Sequence, residues 1–193
     1  MRTERLETFT DGVLAIVITI MVLNFQAPSE VEFVSLLPLL PNFFSYILSF
    51  VYLGIFWSNH HHLLRISKRV NGKILWANLH LLFWLSLIPF GASWIGESGF
   101  ARNALILYGI ILLGSSFSFW LLVNYLAKTH AGDDAIVKLH DGDNKGKYSM
   151  LLFVVGIGVT YFFPILGCIV YLVNTAIWFF PNRKVEKIYN EEE

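Results

Sequence analysis

Residues Arg5 to Phe25 read RLETFTDGVLAIVITIMVLNF, a stretch in which a carboxylate, Asp11, sits at the mouth of an otherwise uncharged apolar run. A bilayer span needs roughly 20 mainly apolar residues, and the uncharged stretch 12–29 together with the turn before it supplies that length. An acid at the edge of such a segment is costly, so it faces other protein or a water-filled path and marks where function lies. The first helix is therefore the place to look.

The rest of the chain has the same character. Apolar residues make up 55% of the sequence and the mean hydropathy is +0.59, which excludes an ordinary soluble domain. No Asp, Glu, Lys or Arg occurs at 12–29, 33–64, 74–96, 103–127 or 148–182. Each run is long enough to cross a membrane, and the last holds Pro164 near its middle, where a helix breaks. Dividing it there predicts an all-α integral membrane protein of six helices, at about 6–27, 42–64, 72–96, 103–127, 148–163 and 165–180. Pro38 and Pro41 set the approach to the second helix, Pro89 kinks the third, and Pro181 stops the sixth.

On this layout Arg2, Arg5, Arg65, Lys68, Arg69, Lys73, Lys128, Lys138, Lys145, Lys147, Arg183, Lys184 and Lys187 fall on one side, and only Arg102 on the other. Positive charge near span ends stays cytoplasmic, so both termini are expected inside, which an even number of spans requires. Glu4, Glu7 and Asp11 dilute the positive flank that a signal peptide would need, and Ala27 is a weak cleavage site. Cys168 stands alone, so no disulfide framework is implied. The net charge is zero with the bases along the inner loops, a pattern that suits anionic headgroups rather than nucleic acid. The mixed loop from Lys128 to Lys147 reads as solvated and the tail Glu191 to Glu193 as a frayed end, with no internal repeat.

At about 100 degrees per residue, Phe9, Gly12, Ile16, Thr19, Ile20 and Leu23 share one stripe of the first helix, with Asp11 on the far side as a buried acid that other helices must pair. The stripe suits lipid, a neighbouring helix or a wet lumen. Gly12 and Thr19 favour close packing or water over acyl chains. Asp11 lies at the same depth as Trp57, Ser58, Asn59, His60, His61 and His62 at the end of the second helix and Trp76, Asn78 and His80 at the start of the third. An indole or imidazole donor would hold its ionised form and fix the rotation of the first helix. Adjacent histidines diverge on a helix, so His60 to His62 cannot converge on one metal ion and a hydrogen-bonding role is expected. No activated serine or cysteine, phosphate-cradling glycine loop or intramembrane carboxylate pair is present, so neither an enzyme nor a cofactor site is expected.

The segment Arg5, Phe9, Thr10, Asp11 resembles the R-x-x-x-F-S-D motif on the first helix of the transmembrane protein 175 family, potassium-permeable channels of bacteria and of animal lysosomes. The following DGVLAIVITIMVL, the two prolines before helix two, the W-x-N-H-H run before a basic loop and a third helix ending in LIPF extend the likeness over the chain. The resemblance implies a single channel domain over residues 1–193, in a bacterial cell membrane, assembled as a homotetramer around a pore lined by the first helices. It implies Ile16, Ile20 and Leu23 in hydrophobic layers of the pore and Thr19 as a polar ring. Arg5, Phe9, Thr10 and Asp11 would brace the first helix together with Trp57, His60 and His61. Thr10 departs from the family's serine but keeps the hydroxyl. The family has no carbonyl filter loop, and GIGVTY at Gly156 to Tyr161 only loosely echoes one.

Passive conduction of potassium and other monovalent cations through an apolar waist is the resulting expectation. Substituting Asn at Ile16 should wet that waist. The alternative is a proton-coupled secondary transporter relaying through Asp11 and His60 to His62, and it would usually carry an internal repeat with broken helices. A membrane-embedded metalloenzyme would have to build its site from His60 to His62 and His80, with His61 and His80 the pair to nominate.

Overall fold

The computed structural model describes residues 3–65, 67, 69–130 and 144–179. Among these the regular structure is helical: α1 Thr3–Leu23, a 3-10 segment Phe33–Leu39, α2 Leu40–Arg65, α3 Gly72–Ser86, α4 Ile88–Glu97, α5 Arg102–Thr129, α6 Asn144–Phe162 and α7 Pro164–Phe179. Arg2, Lys68, Lys138, Pro181, Arg183, Lys184, Lys187, most of the Lys128 to Lys147 loop and the acidic tail lie outside the described residues. α1, α2, the α3–α4 pair and α5 are each long and apolar enough to cross a membrane.

Helix ends follow local chemistry that hydropathy does not contain. α1 stops at Leu23, four residues short of the expected end, because Phe25 turns its N–H back to the Val22 carbonyl at 3.1 Å and Pro28 disfavours helix before it. The Phe25 ring then docks edge-on against Tyr46 of α2, with centroids 5.4 Å apart. The single kinked helix expected over 72–96 is two helices. Pro89 lacks an N–H, and Leu87 instead bonds the Trp84 carbonyl at 3.2 Å, so α3 closes and α4 restarts with Pro89 in its tolerant first turn. At the start of α3, Asn71 accepts the Ile74 N–H at 3.0 Å as a cap.

α4 turns into α5 through Gly99 and Phe100, both left-handed at φ 61° and 62°, while the Phe100 N–H reaches back to Ile95 at 2.9 Å. Phe100 adopts this unfavourable conformation with its ring packed against the core. α6 begins earlier than expected, so Lys145 and Lys147 are helical, and the Lys145 ammonium lies 5.0 Å from the Trp178 ring.

α5 is the central post, touching α3, α4, α6 and α7. Small residues let the helices approach, as expected where lipid offers no hydrophobic drive between them. Gly114 seats the Trp84 indole, Gly109 and Gly156 receive Tyr171, and Gly167 lies against Thr160. Buried hydroxyls stitch the same seams: Ser49 Oγ meets the Tyr108 hydroxyl at 2.7 Å, and Tyr52 donates to the Leu112 carbonyl at 3.1 Å. α1 lies to one side of this core and packs on α2, α3 and α4.

Candidate functional site

α1 has two unlike faces. Leu6, Thr10, Leu14, Val17 and Met21 are buried, at steps of three and four. On the other side Phe9, Gly12, Ile16, Thr19, Ile20 and Leu23 are exposed in the single subunit, Ile16 at 60% and Leu23 at 78% against 2% for Leu14. At ~100 degrees per residue the exposed positions sweep an arc of about 160 degrees, from Glu4 and Val22 round to Ile20. Nothing lies within 4 Å of where a side chain on Gly12 would begin. The N-terminal turns of the arc are polar, with Glu4, Arg5 and Thr8, and the remainder is apolar apart from Thr19.

Thr19 is not a spare donor. Its hydroxyl donates back to the Ala15 and Ile16 carbonyls at 3.0 and 2.9 Å. With the hydrogen held by the helix, only oxygen lone pairs face outward. That leaves an acceptor, the polarity a cation requires.

The buried face and its flanks fix the rotation of α1 by three polar links near its N-terminal half. Trp57 donates its indole N–H to Asp11 Oδ1 at 2.9 Å. Glu7 pairs with His61 Nδ1 at 2.6 Å. Between them, fully buried Asn78 of α3 donates to Thr10 Oγ1 at 2.9 Å and has its Oδ1 2.7 Å from His60 Nε2. Because Asn78 uses its amide nitrogen on Thr10, its carbonyl oxygen faces His60, and the imidazole donates. Thr3 adds a further tie, donating to the Ser67 carbonyl at 2.8 Å. Polar links inside membrane bundles contribute about 0.6 kcal/mol each on average, so together they set rotation more than they set overall stability.

Several placements differ from the sequence expectation. Asp11 is half-buried rather than buried, because it sits at the margin of the packed face while Thr10 occupies the centre. Among the described residues Arg5 and Phe9 enter none of these bonds, since the helical turn carries both onto the exposed arc. His60 and His61 serve different partners, and His80 is engaged by Ser118 at 2.8 Å and by the Trp84 indole at 3.3 Å. Among the described residues, no group of three or more His, Cys, Asp or Glu is placed to hold a metal ion. Glu7 is the bracing residue the sequence reading missed. Its signal was present: it lies three residues before Thr10 and four before Asp11, hence on the same side of the helix.

Comparison with known proteins gives a consistent picture. The model of the family described as endosomal/lysosomal potassium channel TMEM175 matches residues 5–89. A potassium channel of a Chryseobacterium species is 44% identical over 191 residues, covering 99% of this chain and all of the relative. The crystal structure of a lysosomal potassium-selective channel TMEM175 homolog from Chamaesiphon minutus superposes with a TM-score of 0.79 at 26% identity, covering 91% of this chain and 95% of that one. A variant of the potassium channel MtTMEM175, solved with a nanobody fusion protein, shares the fold at 15% identity, with a TM-score of 0.67 over 98% of this chain and 94% of its own.

Proposed function

The chain belongs to the TMEM175 family of potassium channels, and on that premise we propose that it conducts potassium passively through a pore lined by α1 at the centre of a homotetramer. The observation that carries this reading is the exposed arc of α1. A helix that packs by one face and leaves open an arc that, beyond Glu4, Arg5 and Thr8, is apolar but for Gly12 and an acceptor-only Thr19 is built to meet copies of itself around an axis.

Ile16, Ile20 and Leu23 then form stacked apolar layers that exclude water until the waist widens or the helices rotate. Thr19, between the first two layers, offers four oxygens that replace part of an ion's hydration shell. The links Trp57 to Asp11, Asn78 to Thr10 and His61 to Glu7 hold each α1 at the azimuth that keeps these side chains on the axis. Without a carbonyl cage, selectivity rests on this waist and is modest. The whole chain acts as one channel domain, with both termini on the cytoplasmic side of a bacterial membrane.

The test is the current through purified protein in a planar bilayer, with potassium on one side, sodium on the other and no proton gradient. A discrete current reversing toward the potassium equilibrium potential supports the reading. Flux that appears only with an imposed pH gradient would replace it with proton-coupled transport.

A further inference from the structure

Away from α1, one end of the bundle carries the α2 C-terminus, the α3 N-terminus and the α5 C-terminus, joined where Asn71 donates to Thr129 at 2.9 Å and the Arg69 N–H meets His130 at 3.1 Å. Between α3 and α5 at this end opens a crevice of about 680 Å³ lined by Asn71, Gly72, Lys73, Trp76, Ala77, Leu121 and Tyr125. Asn71 is committed to the α3 cap and to Thr129. Lys73, Trp76 and Tyr125 are not: among the described residues their polar atoms have no hydrogen-bond or ion-pair partner, and Trp76 is 74% exposed. Each of the three offers a donor. Among the described residues no carboxylate lines the crevice, while Lys128 stands exposed in the last turn of α5.

We infer that this crevice binds one anionic phospholipid. Lys73 supplies the charge for the phosphodiester, and the Trp76 N–H and Tyr125 hydroxyl supply donors at the depth where amphipathic aromatics sit in a bilayer. Leu121 lies one helical turn from Tyr125 in the apolar span of α5, so the acyl chain continues along it. The charge of the described lining, Lys73 with no described carboxylate beside it, favours an anionic lipid over a zwitterionic one. A free phosphate would leave the apolar wall and the Trp76 ring bare to water.

The test is native mass spectrometry of the full chain released from micelles holding equal amounts of dioleoylphosphatidylglycerol and dioleoylphosphatidylcholine. The wild type is expected to retain the phosphatidylglycerol in preference. Lys73→Gln and Trp76→Leu should each lower its occupancy, the former by about fivefold, while Lys147→Gln, which changes a basic residue outside the crevice, leaves it unchanged. Circular dichroism identifies any variant that fails to fold, and two crevice substitutions of different chemistry keep the test open if one does. Equal retention of the two lipids, unchanged occupancy in folded Lys73→Gln, or displacement by soluble glycerophosphoglycerol would each overturn the proposal. So would retention of neither lipid, the result expected if a second copy of the chain fills the crevice.

Discussion

Ile16 and Val17 are neighbours in sequence and opposites in environment, the first 60% exposed and the second 4%. If the exposed side chain narrows the proposed pore, Ile16→Asn exchanges an apolar constriction for a hydrated one and raises the current at rest; unchanged current would remove Ile16 from the lumen. Thr19→Val removes the outward oxygen while keeping the shape, and potassium conductance should fall several-fold, with Thr19→Ser retaining it. On the buried side Thr10→Val leaves the Asn78 amide without its acceptor. That should cost about 1 kcal/mol, read as a lower thermal midpoint, whereas Thr10→Ser keeps the oxygen and loses less. The stripe was legible because periodicity reports azimuth directly. For Glu7 the spacing shows the side of the helix but not the partner: an acid in the first turns of a helix is ordinary on dipole grounds, and only the fold shows His61 opposite it.

Elements were legible in type, but not in all their ends, nor in the division of 72–96 into two helices. Long uncharged runs identify spans because a charge in the hydrocarbon is expensive. Where each helix stops depends on contacts remote in sequence, such as Phe25 on Tyr46, or on how the chain around a proline re-pairs its carbonyls. Pro89 announced a disturbance, and the one-residue interruption at Leu87 needed the structure. A close helix approach lies at the α6–α7 hairpin. There a Cβ on Gly167 would collide with the Thr160 hydroxyl and come within 2.8 Å of its Cα, a backbone position that cannot swing away. Gly167→Ala should therefore destabilise by roughly 1–3 kcal/mol, seen as a lower detergent unfolding midpoint than for Gly158→Ala, a site on α6 with open space.

At the scale of the whole molecule, a subunit that leaves so much apolar surface open is incomplete in water and needs lipid and, on the proposed account, its own copies. Phe43, Phe44 and Phe50 of α2, Phe83 of α3 and Phe90 of α4 are each about half exposed in the single subunit. The central claim is that the open face of α1 surrounds the ion path. It is tested most directly by single cysteines introduced in a Cys168→Ala background and treated with a charged thiol reagent during potassium current recording. Block at Ile16→Cys, Thr19→Cys and Leu23→Cys, with none at Leu14→Cys or Val17→Cys, is the predicted result. Block at Val17→Cys without block at Ile16→Cys would place the ion path elsewhere and contradict the account.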